Sequence, residues 1–358
     1  MTIRPFAIKA VTVLAIIGAV AAVDAALADM ERSETAQDAR QYYEEGGRLL
    51  RQGRAASAVD SLQRAHALDR RNPLYELQLI SALIAAHRTD EARADLDTVL
   101  LETPDNGQAN LLMARLLGGA GKADQAEVYY HRAIYGEWPD DADRRRIEVR
   151  VELIKLLAAR GQQRELLSEL LPLQSEAAKD AAIQKQIASW LIAAGAPTRA
   201  IDLYRDLIRQ SRHDPDLYMG LGQANLEVGD YQAAVAAFAN AARRRPDDAA
   251  VHKKLDLARE AASLDPTPRW LSTREKYDRS TRILELVQDA ARQCGSTEEP
   301  RTSPEPKRPT NEDAEARLAQ AEQLWSARGK TCPVPDQLRP LQLVIEKLSG
   351  LPARSSSP

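Results

Sequence analysis

Phenylalanine occurs only twice in 358 residues, and all aromatic residues together make up 4% of the chain. So little ring volume argues against a compact two-domain globule, the alternative that this length would otherwise suggest. Cysteine also occurs twice, as Cys294 and Cys332, with no CxxC pair and no histidine near either one in sequence, so zinc and thioredoxin-type patterns are missing. The five histidines, His66, His87, His131, His213 and His252, are scattered without an HExxH or a paired carboxylate spacing. No GxSxG elbow is present. Charge of either sign is not in excess: 49 basic against 52 acidic residues leave a formal −3, which gives no bulk attraction to nucleic acid. Two arginine runs, Arg144-Arg145-Arg146 and Arg243-Arg244-Arg245, read as solvated helix ends; the second closes a helix where cations suit the dipole.

What the chain has in quantity is a beat. Ala58, Ala92 and Ala126 stand 34 residues apart, and after a slip of six the interval resumes at Leu166, Ala200 and Ala234. Twelve residues before each beat come Gly46, Ile80, Ala114, Ile154, Ala188 and Gly222. Four after it come Leu62, Leu96, Tyr130, Leu170, Tyr204 and Phe238, and seven after it Ala65, Val99, Ala133, Leu173, Leu207 and Ala241. Positions i, i+4 and i+7 share one helical face, so each second helix of a unit carries a short apolar stripe. Leu49, Leu83, Leu117, Leu157 and Leu191 do the same for the first helices. Between them, Gly53, Gly121, Gly161, Gly195 and Gly229 supply left-handed backbone that ends the first helix, with His87 the exception. Pro104 and Pro246, with Pro73, Pro139 and Pro215 slightly later, stop the second.

On these columns, and above all on Tyr218-Met219-Gly220-Leu221-Gly222 followed by Gly229-Asp230-Tyr231, Ala234, Phe238, Ala241 and Pro246, residues 39–246 resemble the tetratricopeptide repeat family. Ile80, Ile154 and Leu166 depart from its small-residue pattern, and the slip near Trp138-Pro139-Asp140-Asp141-Ala142-Asp143 reads as a longer connection. The resemblance implies an all-α, right-handed superhelical solenoid of about six helix-turn-helix repeats with a small helical C-terminal extension. Gly118-Gly119-Ala120-Gly121-Lys122 then falls at a helix–helix turn. It also fails as a phosphate loop, with Leu116 at the leading glycine position and Ala123 in place of Ser or Thr.

Arg4 and Lys9 precede an apolar run from Ala10 to Val23, too short to span a bilayer, and Ala26-Leu27-Ala28 offers a signal peptidase site. Residues 1–28 are expected to be a signal peptide cleaved after Ala28, or alternatively an uncleaved anchor, placing the protein in the periplasm, outside the cell, or on the inner membrane facing the periplasm. Residues 29–38 are expected to be a linker, 247–264 a capping helix and 265–294 a helix opened by a Ser272/Glu275 capping box. Residues 295–311 and 351–358 are expected to be disordered and 312–350 helical. In an oxidising compartment Cys294 and Cys332 can pair, clipping these segments together.

No catalytic, cofactor-binding or metal-binding residue is selected, and no cofactor, nucleic-acid partner or membrane partner of the mature chain is expected. What remains is a surface. First helices of such repeats line a concave groove that takes a peptide or a partner helix. The repeat register nominates Tyr43, Leu77, Ser81, Leu111, Arg115, Glu152, Lys155, Lys185, Ser189, Met219 and Gln223 for that lining. The carboxylate clamp of the family's chaperone-binding members is not matched, since Tyr43, Gly47 and Gln78 stand at its places. The expectation is a protein-interaction scaffold or adaptor working through this groove. The alternative is an envelope-complex assembly factor whose disulfide-clipped C-terminal helices make the contact.

Overall fold

The computed structural model describes residues 4–294, 306–327, 332 and 334–350. The chain divides into two compact units, Met1–Leu153 and Ile154–Pro358. Among the described residues the regular structure is helical throughout, apart from one isolated parallel bridge between Asn106 and Glu137.

The first unit opens with α1 (Arg4–Arg51), followed by α2 (Ala55–Leu68), α3 (Pro73–Ala85), α4 (Thr89–Glu102), α5 (Gly107–Gly119), α6 (Ala123–Tyr135) and the greater part of α7 (Ala142–Ala159). Consecutive helices pack as pairs, and α1 also touches α3 while α3 touches α5, so the first helices of neighbouring pairs form one continuous face. The turn between α1 and α2 shows the local logic. Gly53 and Gly121 take φ 73°, Gly161 65°, Gly195 71° and Gly229 74°, all in the left-handed region a helix C-terminus needs. His87, the one non-glycine in this column, is forced into the same conformation at φ 58°.

Between helices the beat residues vanish from solvent. Ala58, Ala92 and Ala126 are wholly buried, as are Leu62 and Leu96 four residues on. Ile80, larger than the family pattern, is equally buried, so that pair packs around it without leaving a gap at the surface. Capping is regular: Asn72 and Asn106 accept hydrogen bonds from Leu74 N and Ala109 N at the starts of α3 and α5.

One boundary differs from the sequence reading. Residues 29–38, expected as a linker, continue α1 as helix. The stretch holds no glycine or proline to break it, so the helical ladder runs through to the first repeat although its side chains face solvent.

The second unit contains the end of α7, then α8 (Gln163–Glu176), α9 (Ala181–Ala193), α10 (Pro197–Gln210), α11 (Pro215–Glu227), α12 (Tyr231–Arg244), α13 (Ala249–Leu264), α14 (Thr273–Gln293), α15 (Asn311–Ala327) and α16 (Arg339–Leu348) after a 3-10 turn at Asp336–Leu338. Again the first helices touch, α9 against α11. Leu166, Ala200 and Ala234 occupy the beat positions at 1%, 0% and 0% exposure. Gly222 lets the Phe238 ring lie on the α11 backbone; a methyl group there would come within 2.5–2.7 Å of three ring carbons. Ser272 and Glu275 form the reciprocal capping box at the start of α14. Cys294 and Cys332 are joined in a disulfide, with Cα atoms 6.1 Å apart. The expected disordered stretches lie wholly or mainly outside the described residues.

No helix among the described residues is long and apolar enough to cross a membrane, and none of them form a cluster of three or more residues able to hold a metal ion.

Candidate partner-binding face

In the first unit, three of the nominated residues converge. Ser81 on α3 and Leu111 and Arg115 on α5 line a recess of about 150 Å³ together with Gln108, Leu112, Trp138, Arg145, Glu148 and Val149. Arg115 reaches over to α7 and grips Glu152 through two hydrogen bonds, Nε to Oε2 at 2.9 Å and Nη2 to Oε1 at 2.6 Å. The hydroxyl of Tyr130 donates to the same carboxylate at 3.5 Å. The hydrogen bond to Glu152 is the main reason that the Arg115 guanidinium is held above its usual pKa. Burial, then the Glu152 charge, pushes the Tyr130 phenol up to about 12. The recess therefore offers a neutralised ion pair at one wall, two further charged side chains, Arg145 and Glu148, bonded to each other at 3.1 Å, and leucine and tryptophan surface between them.

Trp138, Arg145 and Glu148 were not nominated, because they belong to the six-residue slip and the start of α7, where the 34-residue register gives no position. The structure shows what the slip does. Gly107 N donates to Glu137 O at 2.8 Å and Glu137 N to Asp105 O at 2.7 Å, stapling the insertion to the loop before α5. Trp138 then folds back, its Nε1 donating to Ala133 O at 2.9 Å, and its indole lies on Gly107, where any side chain would collide with it. The glycine beside Asn106 was the available signal.

The other nominated residues of this unit divide. Leu77 is buried at 4% exposure and Leu111 at 8%, so Leu77 belongs to helix packing, not to a presented surface, and only Leu111 borders the recess. Tyr43 is half-buried with its ring centroid 4.9 Å from that of Tyr75, and burial, with Tyr75 adding to it, raises its phenol pKa.

In the second unit the picture is more polar. Lys185 is bracketed by Asp214 at 2.9 Å and Asp216 at 2.8 Å, and Asp216 is also held by Arg245 at 2.6 Å. Burial works against the Lys185 charge, but the two carboxylates together keep its pKa above the ordinary lysine value. Lys155 and Ser189 are exposed. Met219 packs against the apolar core around Phe238. Gln223 accepts from Lys254 Nζ at 2.9 Å and donates to Glu227 at 2.8 Å. Burial lowers the Lys254 pKa, with Glu227 opposing and the nearby Arg339 and Lys253 charges reinforcing the shift.

Known protein families and structures include chains similar to this one. The tetratricopeptide repeat model matches residues 49–116 and 191–257. A curated relative, the TPR repeat-containing thioredoxin TTL4 of Arabidopsis thaliana, is 30% identical over 156 residues, spanning 43% of this chain and 22% of that protein. The chain thus matches about a fifth of the length of this relative. Among solved structures, YrrB, a TPR protein with an unusual peptide-binding site, covers 54% of this chain and 97% of its own at 13% identity and a TM-score of 0.44. PilW, a type IV pilus biogenesis factor, covers 62% and 97% at 16% identity and a TM-score of 0.43. The TPR2AB-domain:pHSP90 complex of yeast Sti1 covers 81% and 98% at 13% identity and a TM-score of 0.29.

Proposed function

We propose that this chain, in which residues 49–116 and 191–257 are tetratricopeptide repeats, is a non-enzymatic adaptor that binds an extended peptide or helix of a partner protein on the face made by α3, α5 and α7. Repeats of this kind are protein-interaction modules. The observation that carries the assignment to this face is the recess lined by Ser81, Leu111, Arg115 and Trp138. Its tryptophan and its two paired arginines are residue types that interface centres favour, the ring as an anchor for affinity and the charged groups for specificity. Its size suits one or two side chains, which fits a peptide anchor better than a free metabolite.

The proposed adaptor works in an exported compartment. The basic residues, short apolar run and Ala26-Leu27-Ala28 at the N-terminus support it, and so does the Cys294–Cys332 bond, which persists in oxidising surroundings.

Panning a displayed peptide library on the purified full chain tests the binding face. Selected peptides should lose affinity on the order of tenfold or more toward Arg115→Glu, the scale of one broken charged contact at an interface. Equal affinity for both proteins would remove the recess from the account.

A further inference from the structure

The groove register does not stop with the sixth repeat. Lys253 lies one 34-residue period beyond Met219, and Leu257 one period beyond Gln223, so α13 presents its own version of the nominated face. That face is occupied. Lys253 Nζ meets Asp336 Oδ2 at 3.0 Å at one end, and Lys347 Nζ meets Asp265 Oδ2 at 2.7 Å at the other. The sequence offsets of these pairs are nearly equal, so the segment from Asp336 to Lys347 runs alongside α13 in the same direction. Leu341, Val344 and Ile345 of α16 are buried in one cluster with Leu226, Tyr231, Leu255 and Phe238, against which Leu257 and Met219 also pack. The Tyr231 hydroxyl donates to Leu343 O at 2.8 Å, and Lys347 also donates to Thr267 Oγ1 at 2.9 Å.

We propose that α16 is a built-in occupant of the recognition face of the last repeats, an autoinhibitory contact that a partner must displace. The partner it fits is an amphipathic helix with apolar residues spaced as Leu341, Val344, Ile345 and Leu348, and a basic residue near its C-terminal end to meet Asp265. Two features mark the contact as displaceable. The helix has only ten residues, too few to persist without its receptor. Glu346, 8% exposed, is bonded through Oε1 to Gln342 while its Oε2 has no hydrogen-bond partner among the described residues, so docking buries a half-satisfied carboxylate. A core element built for permanence would carry an apolar side chain there.

This inference rests on the groove reading above, applied to the other unit, and its test is independent of the recess at Arg115. A fluorescein-labelled peptide of residues 335–350 is titrated into the full-length chain, wild type and Lys347→Ala. The substitution weakens the tethered helix but leaves the receptor intact, while the added peptide brings its own lysine. It should bind Lys347→Ala on the order of tenfold tighter than wild type, the factor that a charge-assisted hydrogen bond commands. Equal binding to both, or binding to neither, overturns the proposal. Hydrogen exchange on the unaltered protein gives a second reading: residues 339–348 should exchange faster than α12 and α13, and equal protection would make α16 an ordinary part of the core. If the peptide binds as expected while library peptides ignore Arg115, only the assignment of the recess falls.

Discussion

Arg115 and Glu152, 37 residues apart in sequence, are locked by two parallel hydrogen bonds across the α5–α7 face. The arginine side chain is 47% exposed and the glutamate 30%, so the pair adds only about 0–1 kcal/mol to folding. Its value is geometric: it fixes a charged wall beside Leu111 and Trp138. Replacing Arg115 by alanine should therefore leave the urea midpoint nearly unchanged while weakening partner binding, a separation that a structural role would not produce.

The phenol of Tyr130, behind that pair, is held un-ionised by burial and then by Glu152, its pKa raised from 10.0 to about 12. Tyr204, buried in the second unit, is likewise raised to about 12 by burial. A raised pKa in the folded state means that the native protein binds the proton more tightly, so this stabilisation is complete below pH 10 and is lost as pH climbs toward 12. Absorbance at 295 nm should show phenols that ionise late and together with alkaline unfolding. Tyr130→Phe and Tyr204→Phe should each remove part of that delayed signal.

His87 stands where the other five repeat turns use glycine, at φ 58°. A side chain in this region costs about 1–2 kcal/mol, and this one is exposed to solvent. His87→Gly should raise stability by about 1 kcal/mol in urea denaturation, after the loss from greater unfolded-chain freedom is subtracted. Gly121→His should do the reverse.

The Cys294–Cys332 bond closes a loop of 38 residues. In the chain-entropy model such a closure stabilises by about 3–4 kcal/mol. Intact mass without reductant should show the pair oxidised, and Cys294→Ser should lower the melting temperature and increase hydrogen exchange in α14 through α16 more than in the repeats.

Much of this fold could be read from columns of small and apolar residues, because each repeat meets only its neighbours and so writes its packing at a fixed interval. Gly222 under Phe238 and the turn glycines are cases in which one residue type alone satisfies the geometry. What escaped was everything off the interval. Trp138 finds Gly107 and the carbonyl of Ala133 through an insertion that belongs to no period. The stripe on α16 is visible in sequence, but nothing in ten residues names α13 as its receptor. Residues 29–38 are rich in charge, yet charge does not interrupt a helix that lacks glycine and proline.

The central claim, that the protein acts by holding a partner on the first-helix face, is tested most directly by site-resolved photocrosslinking in the cells that make it. A photoreactive side chain at Ser81, in the recess, should trap one defined protein, and the trapped yield should collapse when Arg115→Glu is added. The same probe at Val128, an exposed position on the second helix of its pair, should trap little. Equal capture from Val128, or capture at Ser81 that is indifferent to Arg115→Glu, would contradict the account.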